Sequence, residues 1–140
     1  MKAMIFAAGL GKRLGKITET FPKALVVING KTALQLAVEK CYEHGFNNII
    51  VNVHHFADMV ENELIKLSKM GYIISVSDER EMLLETGGGL FKARGFFDNN
   101  PFLIYNVDIV SDLNLSAFYH YHLEKEGLAT LAVRNRPGNR

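Results

Sequence analysis

Residues 2–15 read KAMIFAAGLGKRLG, an unbroken apolar run that passes directly into three glycines and two cations. A short continuous apolar run bounded by glycine predicts a strand buried on both faces, as the strands of parallel sheets are. We expect that strand over residues 2–8. It sets the expected fold class, because parallel sheets occur almost only in α/β proteins.

The rest of the chain alternates strand and helix patterns. Extended or β-branched runs occur at 24–28, 48–53, 72–76, 101–105 and 128–133. Apolar residues with helical spacing occur at 32–44, 59–67, 87–97 (with the helix expected from Leu90) and 115–125. Residues 9–22 and 77–85 read as loops. This alternation predicts βαβ units and a mostly parallel sheet, in which ligands bind beyond the carboxyl ends of the strands.

Size and charge exclude several classes of protein. The 140 residues, 48% apolar and 22% charged, predict one globular domain over residues 1–140. A net charge of +1 gives no basic face for nucleic acid, and no apolar run approaches the roughly 20 residues of a membrane span. The single cysteine, Cys41, is expected to be a buried thiol, which fits a reducing compartment and predicts a cytoplasmic protein.

The glycine-rich segment after the first strand is a candidate anion site. Gly9, Gly11 and Gly15 allow the backbone to approach a ligand closely, so that successive N–H groups can converge on a phosphate. Lys12 and Arg13 add positive charge, and an arginine can bind phosphate through two parallel hydrogen bonds. The loop alone leaves a second interpretation open, a surface turn with solvated cations.

Two other nucleotide-binding loops fit less well. A dinucleotide loop needs a helix that opens inside the glycine run and an acidic residue after the second strand. Here residues 17–22 read ITETFP, and residues 52–55 read NVHH, without a carboxylate. A Walker-type loop needs Gly-Lys-Ser or Gly-Lys-Thr at the end of the run, and that motif does not occur there.

Further motifs follow the loop in order. Residues 9–13 (GLGKR) are followed by Thr18, by Pro22-Lys23, by residues 85–89 (ETGGG) and by residues 102–108 (FLIYNVD). This set resembles the signature of sugar-1-phosphate nucleotidyltransferases, the enzymes that make nucleoside diphosphate sugars. Within that family the likeness is greatest to N-acetylmuramate 1-phosphate uridylyltransferases and mannose-1-phosphate guanylyltransferase-like proteins, and it covers the chain from Met1.

The resemblance implies a fold, a reaction and a cofactor. The fold would be a Rossmann-like, three-layer α/β domain of the GT-A-like type. A sugar 1-phosphate oxygen would attack the α-phosphorus of a nucleoside triphosphate and expel pyrophosphate, with Mg2+ as cofactor. Both substrates are then the expected partners, while the base and the sugar are left open by the sequence.

The resemblance also implies roles for individual residues. Arg13 would hold the triphosphate, Lys23 would offset phosphate charge, and Asp108 would bind Mg2+. Backbone or side-chain contacts to the nucleotide would come from Ala8, Gly9, Leu10, Gly11, Lys12, Asn52, Thr86, Gly87 and Gly88. Contacts on the sugar side would come from Glu85 and Asn106. Two positions depart from the family pattern, Lys16 in place of a proline and Val107 in place of a glycine.

The end of the chain bears on its activity. The family's domain continues past a strand such as 128–133, so the resemblance implies that the chain is truncated at its C-terminus. The 101–105 strand would then expose an apolar edge, which predicts a homodimer or a strand swap. The alternative functions are a non-catalytic nucleotide-binding or assembly module of the same fold, a choline-phosphate cytidylyltransferase-like enzyme and, least favoured, a dinucleotide-dependent oxidoreductase.

Overall fold

The computed structural model describes residues 1–9, 11 and 20–134. Its strands are β1 (Lys2–Phe6), β2 (Val27–Ile28), β3 (Lys31–Thr32), β4 (Asn48–Val53), β5 (Ile74–Asp78) and β6 (Leu103–Asn106). Four of them form one parallel sheet in the order β5-β4-β1-β6, and β2 and β3 form a separate antiparallel hairpin. The predicted parallel sheet is confirmed.

Among the described residues, three α-helices connect these strands and a fourth follows β6. They are α1 (Ala33–Glu43), α2 (Ala57–Lys69), α3 (Glu85–Lys92) and α4 (Leu115–Lys125). Short 3-10 turns lie at Lys23–Leu25 and Ala93–Phe96. The sequence placed β4 and α4 at the bounds that the structure has, and it placed α1 and α2 correctly to within two residues at each end.

The sheet lies between two layers of helix. Alternate strand side chains, such as Ile5 and Val51, pack on one face against α1, α2 and Leu115 of α4. On the other face Met4 and Ile50 pack against Ala93 and the aromatic side chains that follow α3. The central strands β1 and β4 are buried on both faces because each face carries its own helical cover, and the three-layer α/β fold is confirmed.

Two strands begin two residues later than the sequence predicted. The 72–76 strand is β5, which starts at Ile74 opposite Ile49 of β4. The 101–105 strand is β6, which starts at Leu103 opposite Ala3 of β1. Their bounds follow the strands that they pair with, and a single-sequence pattern does not contain that information.

The first turn of α3 was also predicted wrongly. We expected the helix from Leu90, after the three glycines, but it begins at Glu85 and includes all three of them. Glycine disfavours a helix interior by about 1 kcal/mol relative to alanine, so propensity alone argues against this start. Packing overrides it, because Gly89 is buried against the sheet.

Two further expectations differ from the structure, and a third is mostly untested. Residues 24–28 were expected to be extended throughout, but Ala24 and Leu25 lie in a 3-10 turn and only β2 is extended. The 128–133 strand is absent from the described chain; Leu128, Leu131 and Val133 are exposed, and no neighbouring strand pairs with them. A β-branched run becomes a strand only where a partner supplies hydrogen bonds. The predicted loop over 9–22 lies mostly outside the described residues.

Candidate functional site

Four parallel strands bring their carboxyl ends to one edge of the sheet. Phe6 at the end of β1 pairs with Asn52 of β4 on one side and with Asn106 of β6 on the other. On the next strand, Val53 pairs with Asp78 at the end of β5. The glycine-rich segment therefore leaves the sheet between two strand ends that carry polar side chains, which is where α/β sheets bind ligands.

The start of the glycine-rich segment is fixed by one side chain. Asn52 is 2% exposed, and its Oδ1 accepts hydrogen bonds from the backbone N–H groups of Ala7 (2.8 Å) and Ala8 (3.2 Å). Asn52 was predicted as a nucleotide contact, and in the structure its oxygen binds the protein backbone. This oxygen is therefore occupied by the backbone of Ala7 and Ala8, and the nucleotide contact of Asn52 stays a prediction.

Gly9 lies beside Lys23. A Cβ added to Gly9 would lie 3.2 Å from Lys23 Nζ, so the absence of a side chain there leaves room for the ammonium group. Gly11 has a φ of +65°, a conformation that glycine adopts at no steric cost. Leu10, Lys12, Arg13 and Gly15 lie outside the described residues, and their predicted phosphate contacts stay predictions.

Lys23 and Asp108 meet above this edge. Lys23 follows the buried Pro22 and begins the 3-10 turn, and Asp108 follows β6. Lys23 Nζ lies 3.1 Å from Asp108 Oδ2, with the two side chains 17% and 51% exposed. The sequence separated these residues by 85 positions, and the fold joins a cation and a carboxylate next to Gly9.

A buried side chain and two backbone hydrogen bonds fix the backbone around Asp108. Val107, which replaces the family's usual glycine, is 1% exposed, and its N–H donates to the carbonyl of Phe6 (3.2 Å). The N–H of Ile109 donates to the carbonyl of Asn106 (3.1 Å), which closes a turn at Asp108. Val107 thus serves as a core anchor, and the carboxylate beyond it points to the ligand edge.

The segment predicted to contact base, ribose and sugar lies at the start of α3. Glu85, Thr86 and Gly87 are exposed there, and Glu85 has a φ of +56°. Gly88 is half-buried, and a Cβ at that position would lie 3.0 Å from the Cβ of Leu84. Asn106, the other predicted sugar-side residue, is exposed at the end of β6. The start of α3 and the end of β6 are therefore both accessible to a ligand.

Glu79 is a residue of the site that the sequence patterns did not indicate. This residue directly follows β5 and is 1% exposed, although it stands in the charged stretch DERE at 78–81. Its carboxylate Oε1 accepts a hydrogen bond from Asn52 Nδ2 (2.9 Å). No local signal distinguishes Glu79 from its charged neighbours, because only the pairing of β5 with β4 turns it inward.

A metal cluster and the single cysteine are the remaining candidates for chemistry. Among the described residues no cluster of three His, Cys, Asp or Glu side chains could hold a metal ion. Cys41 is buried in the main core, and its burial raises the pKa of the thiol to about 12. The predicted buried thiol is confirmed.

No helix in the described ranges is long and apolar enough to cross a membrane.

Comparison with known proteins identifies the family. The family described as Nucleotidyl transferase matches residues 2–139. N-acetylmuramate alpha-1-phosphate uridylyltransferase of Caulobacter vibrioides is 38% identical over 110 residues, which cover 77% of this chain and 46% of that protein. Mannose-1-phosphate guanylyltransferase catalytic subunit beta of Xenopus tropicalis is 35% identical over 142 residues, which cover 98% of this chain and 39% of that protein.

A solved structure agrees with the sequence relatives. HddC from Yersinia pseudotuberculosis, crystallised with GMP-PN, superimposes with a TM-score of 0.77 and 28% identity over 88% of this chain and 54% of that one. The chain spans less than half the length of the two curated relatives described above. The match over nearly the whole chain, on a sheet that brings its glycine-rich segment and an acidic strand end to one edge, means that this chain belongs to the nucleotidyl transferase family.

Proposed function

We propose that residues 1–140 form the nucleotide-binding N-terminal part of a single nucleotidyltransferase domain. The proposed reaction transfers a nucleoside monophosphate from a nucleoside triphosphate to a sugar 1-phosphate. A sugar phosphate oxygen forms a bond to the α-phosphorus, the α–β phosphoanhydride bond breaks, and pyrophosphate leaves. The observation that carries the proposal is the Lys23–Asp108 pair, 3.1 Å apart and next to Gly9.

Lys23 carries the charge that suits a substrate phosphate, and Asp108 carries the charge that suits a metal ion. The Lys23 ammonium group can bind a phosphate oxygen of the triphosphate or of the incoming sugar phosphate, and Pro22 fixes the backbone φ just before it. Arg13 and the backbone of residues 8–12 would bind the remaining phosphates. Positioning and neutralisation of charge supply most of the catalysis in phosphoryl transfer, so little covalent chemistry is required of the protein.

Asp108 fits a magnesium ion. Mg2+ prefers hard oxygen ligands and is usually held by one or two carboxylates together with substrate phosphates and water. Asp108 offers such a carboxylate, half-exposed and at the strand end that faces Lys23. When bound, the ion would neutralise phosphate charge. Thr86, Gly87 and Gly88 would lie against the base and ribose, and Glu85 and Asn106 against the sugar.

Calorimetry with the four nucleoside triphosphates, with and without Mg2+, tests the proposal. One triphosphate should bind, and Mg2+ should strengthen that binding. Lys23→Met should weaken the affinity about tenfold or more, because a hydrogen bond to a charged group is lost. Asp108→Asn should remove the effect of Mg2+. Failure of every triphosphate to bind would contradict the proposal, and binding without turnover of a sugar 1-phosphate would favour the non-catalytic module.

A matched control lies at the opposite end of the sheet. Lys2 and Asp98 form an ion pair of 2.7 Å beside the amino end of β1, whereas the candidate site lies at the carboxyl end of that strand. Lys2→Met and Asp98→Asn should leave both the affinity and its dependence on Mg2+ unchanged. A similar loss in these variants would mean that the effect of Lys23→Met is one of bulk charge.

We further propose a cytoplasmic location and a homodimer. The unpaired Cys41 fits a reducing compartment. In the described part of the chain, β6 pairs with β1 alone and carries the half-exposed Ile104, so its outer edge is open to another strand. An unpaired strand edge of this kind favours self-association.

A further inference from the structure

Glu79 is a buried acidic residue in a chain segment that otherwise faces solvent. Its backbone N–H donates to the carbonyl of Val53 (2.7 Å). Its carbonyl accepts from His54 Nδ1–H (2.7 Å) and from the N–H of Met82 (3.2 Å). The residue is thus tied to the end of β4 through its main chain, and its side chain is directed inward, where it is 1% exposed.

The Glu79 carboxylate begins a continuous chain of hydrogen bonds. Oε2 accepts from the N–H of Leu84 (3.4 Å), the residue before α3, and Oε1 accepts from Asn52 Nδ2 (2.9 Å). The other end of the Asn52 amide accepts from the N–H groups of Ala7 and Ala8. One carboxylate therefore connects the start of α3 to the start of the glycine-rich segment.

The orientation of Asn52 depends on this carboxylate. An amide side chain has a donor end and an acceptor end, and only the acceptor end can bind the two backbone N–H groups. A carboxylate oxygen at the other end accepts from Nδ2 and so holds the donor end away from the backbone. Without that acceptor, Asn52 keeps its donor in a buried, unsatisfied position or rotates away from the loop.

Gly89 provides the space that the carboxylate occupies. A Cβ at this position would lie 2.7 Å from Glu79 Oε1 and 3.2 Å from Asn52 Nδ2. Both distances are shorter than ordinary contacts, so a side chain there would displace the carboxylate or the amide. The third glycine of the ETGGG segment is thus explained by an internal contact, while the first, Gly87, has open space around it.

We propose that Glu79 is a positioning residue for the triphosphate site. Acting through Asn52, it sets the direction of the Ala7 and Ala8 N–H groups and so fixes the backbone that leads into Gly9, and it holds that backbone at a fixed distance from the start of α3. The start of the glycine-rich segment and the start of α3 then keep a fixed position relative to each other. The inference rests on the proposed nucleotide site and adds a residue that does not touch the nucleotide.

Three variants separate this role from a general effect on stability. Glu79→Gln keeps an oxygen that can accept from Asn52 Nδ2, and Glu79→Met removes every acceptor at similar size. Glu81→Met is the matched control, because Glu81 is exposed two residues away. The first readout is amide hydrogen exchange at Ala7 and Ala8, compared with the central strand residue Val51. The second is calorimetric affinity for the triphosphate that the unaltered chain prefers, with Mg2+.

Glu79→Met should accelerate exchange at Ala7 and Ala8 selectively and weaken triphosphate affinity about tenfold, because a buried donor is left unpaired. Glu79→Gln should restore both within about threefold, since its single amide oxygen keeps the hydrogen bond from Asn52 Nδ2 and only the longer bond from the Leu84 N–H (3.4 Å) is lost. Glu81→Met should match the unaltered chain. If Glu79→Met does not fold, Gly89→Ala provides the test, because its Cβ displaces the carboxylate without deleting it.

Either of two single-variant results would overturn the inference, as would a third in a double variant. One is unchanged exchange at Ala7 and Ala8 in Glu79→Met, and the other is triphosphate affinity equal to that of Glu81→Met. Asn52→Ala combined with Glu79→Met should be no weaker than Asn52→Ala alone, because Glu79 acts through Asn52; an additive loss would also contradict it. If the unaltered chain binds no triphosphate, the proposed function fails, while the exchange measurement still decides the role of Glu79.

Discussion

At the scale of single residues, glycines with the same sequence context differ in what surrounds them. Gly87 and Gly89 both lie in α3, within the same run of three glycines. Gly87 has nothing within 4 Å of an added Cβ, whereas at Gly89 the Cβ would meet Glu79 Oε1 at 2.7 Å. The two positions therefore permit a matched test of whether helix propensity or packing dominates.

Gly89→Ala should lower the free energy of unfolding by about 1–3 kcal/mol, because an extra carbon in a filled site displaces a hydrogen-bonded carboxylate. Gly87→Ala should raise it by about 0.5–1 kcal/mol, because alanine loses less backbone entropy in a helix. Urea unfolding of both variants measures the difference. Equal effects at the two positions would mean that Gly89 does not contact the carboxylate closely.

Cys41 is expected to resist thiol reagents until the protein unfolds. Burial disfavours the charged thiolate and raises its pKa from 9.0 to about 12. The folded state therefore holds the proton more tightly, so this group's contribution to stability is complete below pH 9.0 and is lost as the pH rises towards 12. Thiol labelling at mildly alkaline pH, with and without urea, measures it. Rapid labelling of the folded chain would contradict the burial.

At the scale of secondary-structure elements, the ends of α1 follow from its sequence. Thr32 Oγ1 accepts from the N–H of Gln35 (3.0 Å), which satisfies one free donor of the first turn. Gly45 ends the segment with a φ of +81°, and its N–H donates to the carbonyl of Tyr42 (3.0 Å). The same Thr32 hydroxyl donates to Glu63 Oε1 (3.0 Å), which joins α1 to α2.

Thr32→Ala should lower the free energy of unfolding by about 1–2 kcal/mol, the usual cost of a lost N-cap. Thr32→Ser retains the hydroxyl group and should recover most of that loss. Thermal or urea unfolding of the pair is the measurement. If serine is as destabilising as alanine, the methyl group of Thr32, and not its cap, is responsible.

At the scale of the whole molecule, the two faces of the sheet are covered unequally. The main core joins α1, α2 and α4 to one face, while the described core on the α3 face has three buried residues, Met4, Ile50 and Ala93. Ile104 of the edge strand β6 lies on that second face and is 43% exposed. The region around β6 is therefore where a second strand or a second molecule can pair with this sheet.

Ile104→Lys should reduce self-association, because a lysine on an edge strand opposes pairing with another strand. Ile65→Lys is the matched control, since Ile65 is exposed on α2. Light scattering over a range of concentrations compares the three proteins. If the unaltered chain is a monodisperse monomer at high concentration, the proposed homodimer is wrong.

Much of the fold could be predicted from local patterns. The buried run of β1, the β-branched run of β4 and the capped periods of α1 and α4 each contain enough local information to fix an element. The start of α3 and the unpaired residues 128–133 could not be predicted in this way, because in both cases tertiary contacts decide the outcome. The position of Lys23 beside Asp108 could be predicted only from a family resemblance, since 85 residues separate them.

The sequence by itself determined the α/β class and the edge of the sheet that carries the candidate site. It could do so because hydrophobic period and glycine placement act over a few residues. The tertiary structure alone decided that Glu79 is buried, that Asn52 binds backbone, and that Gly89 must lack a side chain. These facts depend on which strand lies beside which, and the pairing of β4 with β5 and β1 turns those groups towards one another.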